Sequence, residues 1–170
     1  MPLVASAILI PGLGDYRWTL SSIALANIVF GILLLFSTYV GKENKQNGRM
    51  KVWEAFFIGL FQCFSLISGA SRSGTAITAA LFLGFNKTDA AKFSLMLSIP
   101  TIAGAILFSF LDIKNLETNI SILTTFIGFL TTFIVAYISI DIFLKVVKSI
   151  GYTPFILYRM LLGILILWLI

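Results

Sequence analysis

The 170-residue sequence contains no histidine, one cysteine and few charged side chains. Without histidine, the chain lacks the usual general base and the commonest zinc ligand. A lone cysteine, Cys63, excludes a disulfide framework and a thiolate metal site. Charged residues make up 11% of the chain, whereas a soluble domain has about 25%. Any chemistry must therefore use Ser, Thr, Arg and carboxylates, or groups from another chain.

Apolar residues are abundant instead, at 59% of the sequence. Twelve basic and seven acidic side chains cannot give a domain of this size a soluble surface. The formal charge of +5 comes from residues beside apolar runs, where lipid head groups explain them better than a nucleic acid does. The composition therefore predicts an integral membrane protein and argues against nucleic-acid binding.

Four apolar segments are long enough, or nearly so, to cross a bilayer as helices, which takes about 17 to 25 residues. They are residues 20–40, 90–111, 120–144 and 154–170. The sequence thus predicts an all-α, polytopic membrane helix bundle that forms a single integral membrane domain over residues 1–170.

Residues 53–85 differ from these spans because two short apolar pieces flank a polar break. Each piece is too short to cross alone, so we expect a re-entrant helix, loop and helix that dip into the membrane and return. Re-entry places the basic stretches 42–51, 87–92 and 145–148 on one side and the acidic linker 112–119 on the other. A single crossing would split the basic stretches, against the positive-inside rule.

The polar break contains Arg72 between two serines and near two glycines. An arginine in a bilayer is a candidate functional residue because it is costly there without a partner. Its guanidinium, the neighbouring hydroxyls, close backbone N–H groups and the start of the second helix can all hold an anion. We predict an oxyanion site, most naturally for phosphate or diphosphate, formed by Arg72 with Gly69, Ser71, Ser73, Gly74 and Thr75.

Alternative roles stay open for these and other polar residues. Arg72 could instead snorkel or cap helix carbonyls, and the spacing does not separate hydrolysis from transport. Glu54 and Gln62 could support the site, Glu54 as a general base or metal ligand, although a carboxylate at the interface is more typical of a solvated helix end. Asp141 and Arg159 are expected to pair across two helices, or Arg159 to snorkel, rather than to catalyse.

Three stretches resemble a known family. They are residues 54–75, which contain a Gly-x-Ser-Arg-Ser core, residues 90–100, and residues 154–159 with Gly163. They resemble the second signature, the following span and the final helix of the undecaprenyl diphosphate phosphatase (bacitracin-resistance) family, over roughly residues 20–170. Ser68 stands where that family has proline, which makes the turn less rigid.

The resemblance implies a hydrolase of the bacterial plasma membrane that removes the terminal phosphate of a polyprenyl diphosphate. This reaction recycles the lipid carrier of peptidoglycan synthesis and underlies bacitracin resistance. The resemblance further implies that Arg72 binds phosphate, with Ser71, Ser73 and Thr75 as its neighbours. The resemblance also implies a divalent cation, Mg or Ca. The family fold consists of two inverted repeats, each with a re-entrant hairpin, and this chain would resemble the second of them.

The family's first signature, an acidic helix ending in Pro-Val-Ser-Ser-Thr-Gly-His, does not occur in this sequence. We therefore expect the carboxy-terminal part of such a phosphatase, with little or no hydrolysis alone and a missing amino-terminal half or a homo-oligomer to complete it. A noncatalytic module that binds or transports a polyprenyl phosphate is the main alternative. A subunit that only assembles with other membrane proteins is another.

Overall fold

The computed structural model describes residues 19–42, 45, 50–112 and 121–170, with residues 108–112 described by their backbone alone. The secondary structure in these ranges is helical, apart from an isolated bridge between Lys45 and Phe85. This architecture confirms the all-α fold class. Residues 113–119 of the acidic linker used in the topology prediction lie outside the described ranges.

Six α-helices follow one another along the described chain. They are α1 (Leu20–Val40), α2 (Val52–Gln62), α3 (Arg72–Phe82), α4 (Lys87–Asp112), α5 (Ile122–Ile150) and α6 (Thr153–Trp168), and a 3₁₀ turn (Cys63–Leu66) extends α2. By length and composition, α1, α4 and α5 can each cross a membrane. The 16 residues of α6 rise about 24 Å, less than the roughly 30 Å of a hydrocarbon core. The membrane topology, including re-entry of α2 and α3, stays a prediction.

Helix α3 lies at the centre of the fold. Residues 74–81 are all buried, and the helix contacts α1, α2 and α4. Small side chains such as Ala76, Ala79 and Ala80 let the neighbouring helices approach closely. By contrast, residues 121–140 are all exposed, so α5 joins the rest of the fold only by its carboxy-terminal part.

The contact between α1 and α6 is the most extensive between two helices in the described chain. Glycine makes it close, since a Cβ atom on Gly163 would lie 2.7 Å from Ile28 Cγ1 and 3.1 Å from the carbonyl oxygen of Ala24. A turn at Gly151, whose φ is +78°, precedes α6, and a proline in the first turn of α6 suits the start of a helix. This packing holds Arg159, on α6, against the loop that precedes α3.

Candidate functional site

A cavity of about 210 Å³ lies where the start of α3 meets α1, α5 and α6. Aliphatic and aromatic side chains form part of its wall. The polar residues of the wall are Ser71, Ser73, Tyr152, Tyr158 and Arg159. The cavity therefore combines an apolar wall with a polar end, as small-molecule sites commonly do.

The polar end of the cavity is the first turn of α3. Ser71 caps this helix, and its Oγ accepts a hydrogen bond from the N–H of Gly74 at 3.2 Å. Ser71 has a φ of +66°, a left-handed conformation that residues other than glycine adopt only at a cost in free energy. The carbonyl of Ser73 accepts a bond from Ser94 Oγ at 3.3 Å, which ties this turn to α4. Because the first N–H groups of a helix have no helical partner, the turn attracts an anion.

Arg159 brings a positive charge to the same place from α6. The residue is only 8% exposed. Its Nη2 donates to the carbonyl oxygens of Gly69 at 2.9 Å and Ala70 at 3.0 Å. Its Nε and Nη1 are buried and have no hydrogen-bond partner among the described residues. A Cβ atom on Gly74 would lie 2.7 Å from Nη1, so the guanidinium lies directly against the first turn of α3.

The expected pairing of Arg159 with Asp141, and the alternative of snorkelling, are both wrong. Asp141 accepts a hydrogen bond from Lys145 at 2.6 Å, one turn further along α5. Arg159 points into the fold because the break before α3 leaves carbonyl groups without helical partners, and the guanidinium binds two of them. The position of Arg159 within an apolar helix is the feature of the sequence that could have indicated a functional arginine.

The structure places Ser71, Ser73 and Gly74 in the wall of the cavity, and their predicted part in an oxyanion site stays a prediction. Two other predicted members have structural contacts instead. The Thr75 hydroxyl is fully buried and donates to the carbonyl of the preceding turn at 2.9 Å. Gly69 adopts a φ of +98° and passes so close to α1 that a Cβ atom would lie 2.5 Å from a backbone carbonyl oxygen.

Arg72 is the first residue of α3, and its side chain is exposed. It does not contribute to the wall of the cavity, although both neighbouring serines do. Its carbonyl oxygen accepts the hydrogen bond from Thr75. The geometry thus places Arg72 beside the cavity, and its predicted role as the phosphate-binding arginine stays a prediction.

Glu54 is not the solvated helix end that the sequence favoured. The residue is 1% exposed, and its carboxylate accepts hydrogen bonds from Lys45 Nζ and, at 2.8 Å, from the N–H of Lys51. The Lys45 ammonium holds the pKa of Glu54 below its usual range. Gln62 is 8% exposed and donates to Thr101 Oγ1 at 3.4 Å. Neither residue lines the cavity, and their supporting roles stay predictions.

The described part of the chain contains no group of three or more His, Cys, Asp or Glu side chains that could hold a metal ion. The polar residues of the cavity wall, which are two serines, two tyrosines and an arginine, match an anion rather than a cation. The residues at hand therefore do not fit the expected Mg or Ca ion. That cation would need ligands beyond these residues and stays an expectation.

Comparison with known proteins gives a consistent match. The family described as "Bacitracin resistance protein BacA" matches residues 3–165. Proteins named undecaprenyl-diphosphatase are similar over most of the chain: 43% identity over 152 residues in Saccharophagus degradans, 42% over 155 in Geotalea daltonii and 41% over 148 in Alcanivorax borkumensis. These alignments cover 86% to 89% of this chain but 56% or 57% of each relative. The chain thus spans little more than half the length of the curated relatives it matches.

Proposed function

Because the chain belongs to the bacitracin resistance protein BacA family, we propose that it forms the phosphate-binding part of an undecaprenyl-diphosphatase. The observation that carries the proposal is the cavity at the start of α3, where Ser71, Ser73 and Gly74 come together. A serine-capped helix start beside a cavity suits the oxyanion of a phosphate group. The substrate would be a membrane lipid, a polyprenyl diphosphate, whose head group enters this cavity.

Family membership confirms the resemblance found in the Gly-x-Ser-Arg-Ser core and its flanking stretches. It also confirms the expected location, a multi-pass protein of the bacterial plasma membrane, in agreement with three helices that are able to cross a bilayer. The family name links this group of proteins to bacitracin resistance.

The proposed reaction is displacement at the terminal phosphorus of the diphosphate. A nucleophile bonds to this phosphorus while its bond to the bridging oxygen breaks, and the lipid monophosphate leaves. Phosphoryl transfer depends mainly on positioning and on stabilising the phosphoryl oxygens. The negative charge on the phosphoryl oxygens would be stabilised here by Arg72, by the hydroxyls of Ser71 and Ser73, and by the first turn of α3. The nucleophile and the proton-transferring groups would come from an amino-terminal part or a partner chain, since the residues that line the cavity include neither a carboxylate nor a histidine.

Reconstitution tests this division of roles. The purified chain would be mixed in detergent with the amino-terminal part of the Saccharophagus degradans relative, and phosphate release from undecaprenyl diphosphate would be measured. We expect little or no release by either part alone and clear release by the mixture. Arg72→Ala should lower that rate by about a hundredfold or more, as loss of a group that stabilises transition-state charge does. Lys145→Gln, which removes one exposed positive charge from α5, serves as the control.

Two outcomes would contradict the proposal in different ways. Release by the chain alone, abolished by Arg72→Ala, would show that this chain carries the complete chemistry. Tight binding of the diphosphate without release, in the mixture as well as in the chain alone, would favour the noncatalytic module that binds or transports a polyprenyl phosphate.

A further inference from the structure

We infer that Arg159 is an oxyanion ligand of the cavity, beside which Arg72 lies. This inference rests on the proposed function and extends it, because it names a residue of α6 that would hold the phosphate group. Its basis is the environment of the guanidinium, which is buried, charged and only partly hydrogen-bonded.

The charge of Arg159 has no acidic partner among the described residues. Its Nη2 binds two neutral carbonyl groups, and the ion pairs of the described chain involve other residues. An arginine side chain does not lose its proton under ordinary conditions. Buried charges in proteins are normally paired, since an isolated charge is poorly solvated there. An anion in the adjoining cavity would supply the missing countercharge.

Arg159 lines the same cavity as the start of α3. A Cβ atom on Gly74 would lie 2.7 Å from Arg159 Nη1 and 3.2 Å from Ser71 Oγ. The guanidinium and the hydroxyl therefore both pack against the backbone of residue 74, an approach that the absence of a side chain there allows. The cavity of about 210 Å³ is several times the roughly 30 Å³ that one water molecule occupies in the liquid, so a phosphate group has room.

Two roles can be divided between the nitrogen atoms of this side chain. Nη2 positions the loop by binding the carbonyls of Gly69 and Ala70. Nε and Nη1 have no hydrogen-bond partner among the described residues, and they would bond to the anion after a small shift of the guanidinium, since both atoms are shielded from solvent. Phosphate binding would thus be coupled to the loop that leads into Ser71, because one rigid, planar group contacts both.

A binding experiment separates ligation from positioning. The full chain in detergent micelles would be titrated with farnesyl diphosphate, inorganic pyrophosphate and uncharged farnesol. Arg159→Gln removes the charge but keeps an amide that can donate to the loop carbonyls. We expect it to weaken farnesyl diphosphate binding ten- to a hundredfold, the range for a lost hydrogen bond to a charged group, and to leave farnesol binding unchanged. Lys145→Gln should change neither affinity.

Gly74→Ala provides a second variant in case Arg159→Gln does not fold. Alanine favours the helix over glycine, and the added methyl group occupies the place that Nη1 and Ser71 Oγ approach. We expect this variant to remain folded and to bind farnesyl diphosphate about tenfold more weakly or worse. The pyrophosphate titration shows whether the site accepts a free anion as well as a lipid head group; loss of pyrophosphate binding in either variant supports the inference.

Unchanged diphosphate affinity in both variants, with a lower melting temperature for Arg159→Gln, would overturn the inference and leave Arg159 as a loop-positioning residue. The same holds if Arg72→Ala abolishes binding while the two variants bind normally, and the proposed function then stands. If Arg159→Gln weakens binding but the reconstituted mixture releases no phosphate, the ligand role stands and the proposed hydrolysis fails. Absence of diphosphate binding by the unmodified chain would overturn both.

Discussion

Replacing Gly69 with alanine should strongly destabilise the fold, for two reasons visible at one position. Its φ of +98° is a conformation that costs an L residue about 1 to 3 kcal/mol. The new Cβ atom would also lie 2.5 Å from the carbonyl oxygen of Ile23 and 3.2 Å from Ala26 Cβ. The backbone of α1 cannot yield as a flexible side chain can, and overpacking of this kind costs about 1 to 3 kcal/mol. Together these terms predict a loss of about 2 to 6 kcal/mol in the free energy of unfolding.

Denaturant unfolding in detergent micelles measures this loss, and Gly59 provides a matched control. Gly59 lies within α2, where an added Cβ atom would have nothing within 4 Å. Gly59→Ala should therefore leave the free energy of unfolding unchanged or raise it by up to about 1 kcal/mol, because alanine favours a helix. If Gly69→Ala and Gly59→Ala unfold at the same denaturant concentration, the close approach of the loop to α1 is wrong, and with it the position of the carbonyl that Arg159 binds.

Two further predictions concern buried polar contacts. Lys45 lowers the folded-state pKa of Glu54 below its unfolded-state pKa. The ionised carboxylate therefore stabilises the fold fully above the unfolded-state pKa, and this stabilisation is lost as the pH falls through the folded-state pKa. The melting temperature should therefore fall more steeply on acidification for the unmodified chain than for Glu54→Gln, and parallel curves would contradict this. Tyr152→Phe removes the bond from the hydroxyl to the carbonyl of Lys87 at 2.7 Å and should cost about 0.5 to 1.5 kcal/mol in chemical unfolding; an unchanged midpoint would argue against that bond.

Local patterns explain why the helical elements could be predicted. Long apolar runs favour helices in a membrane, and the serine and glycine residues before α3 mark a break in the chain. The structure has a helix start at Arg72 with Ser71 as its cap, in the stretch where the sequence predicts a break. The contiguous core around this arginine, with the matching stretches 90–100 and 154–159, also indicated the family, since each stretch is read from neighbouring residues.

The contacts of single polar residues could not be predicted in the same way. Glu54 was expected in solvent because it stands near the end of an apolar run, yet Lys45 and the N–H of Lys51 cover its carboxylate. Arg159 was expected to pair with Asp141 or to reach the interface, but it binds carbonyl groups beside α3. In both cases the partner is set by how segments pack, which a periodic pattern does not encode.

By itself, the sequence determined the all-α class, the broken segment before α3 and the family, because each depends on composition or on neighbouring residues. Only the tertiary structure decided which arginine lies buried against that break. Arg159 and Gly69 are 90 residues apart in the chain, and the close packing of α1 and α6 brings them together. A contact of that kind depends on the shape of the whole bundle, so no local stretch of the sequence reveals it.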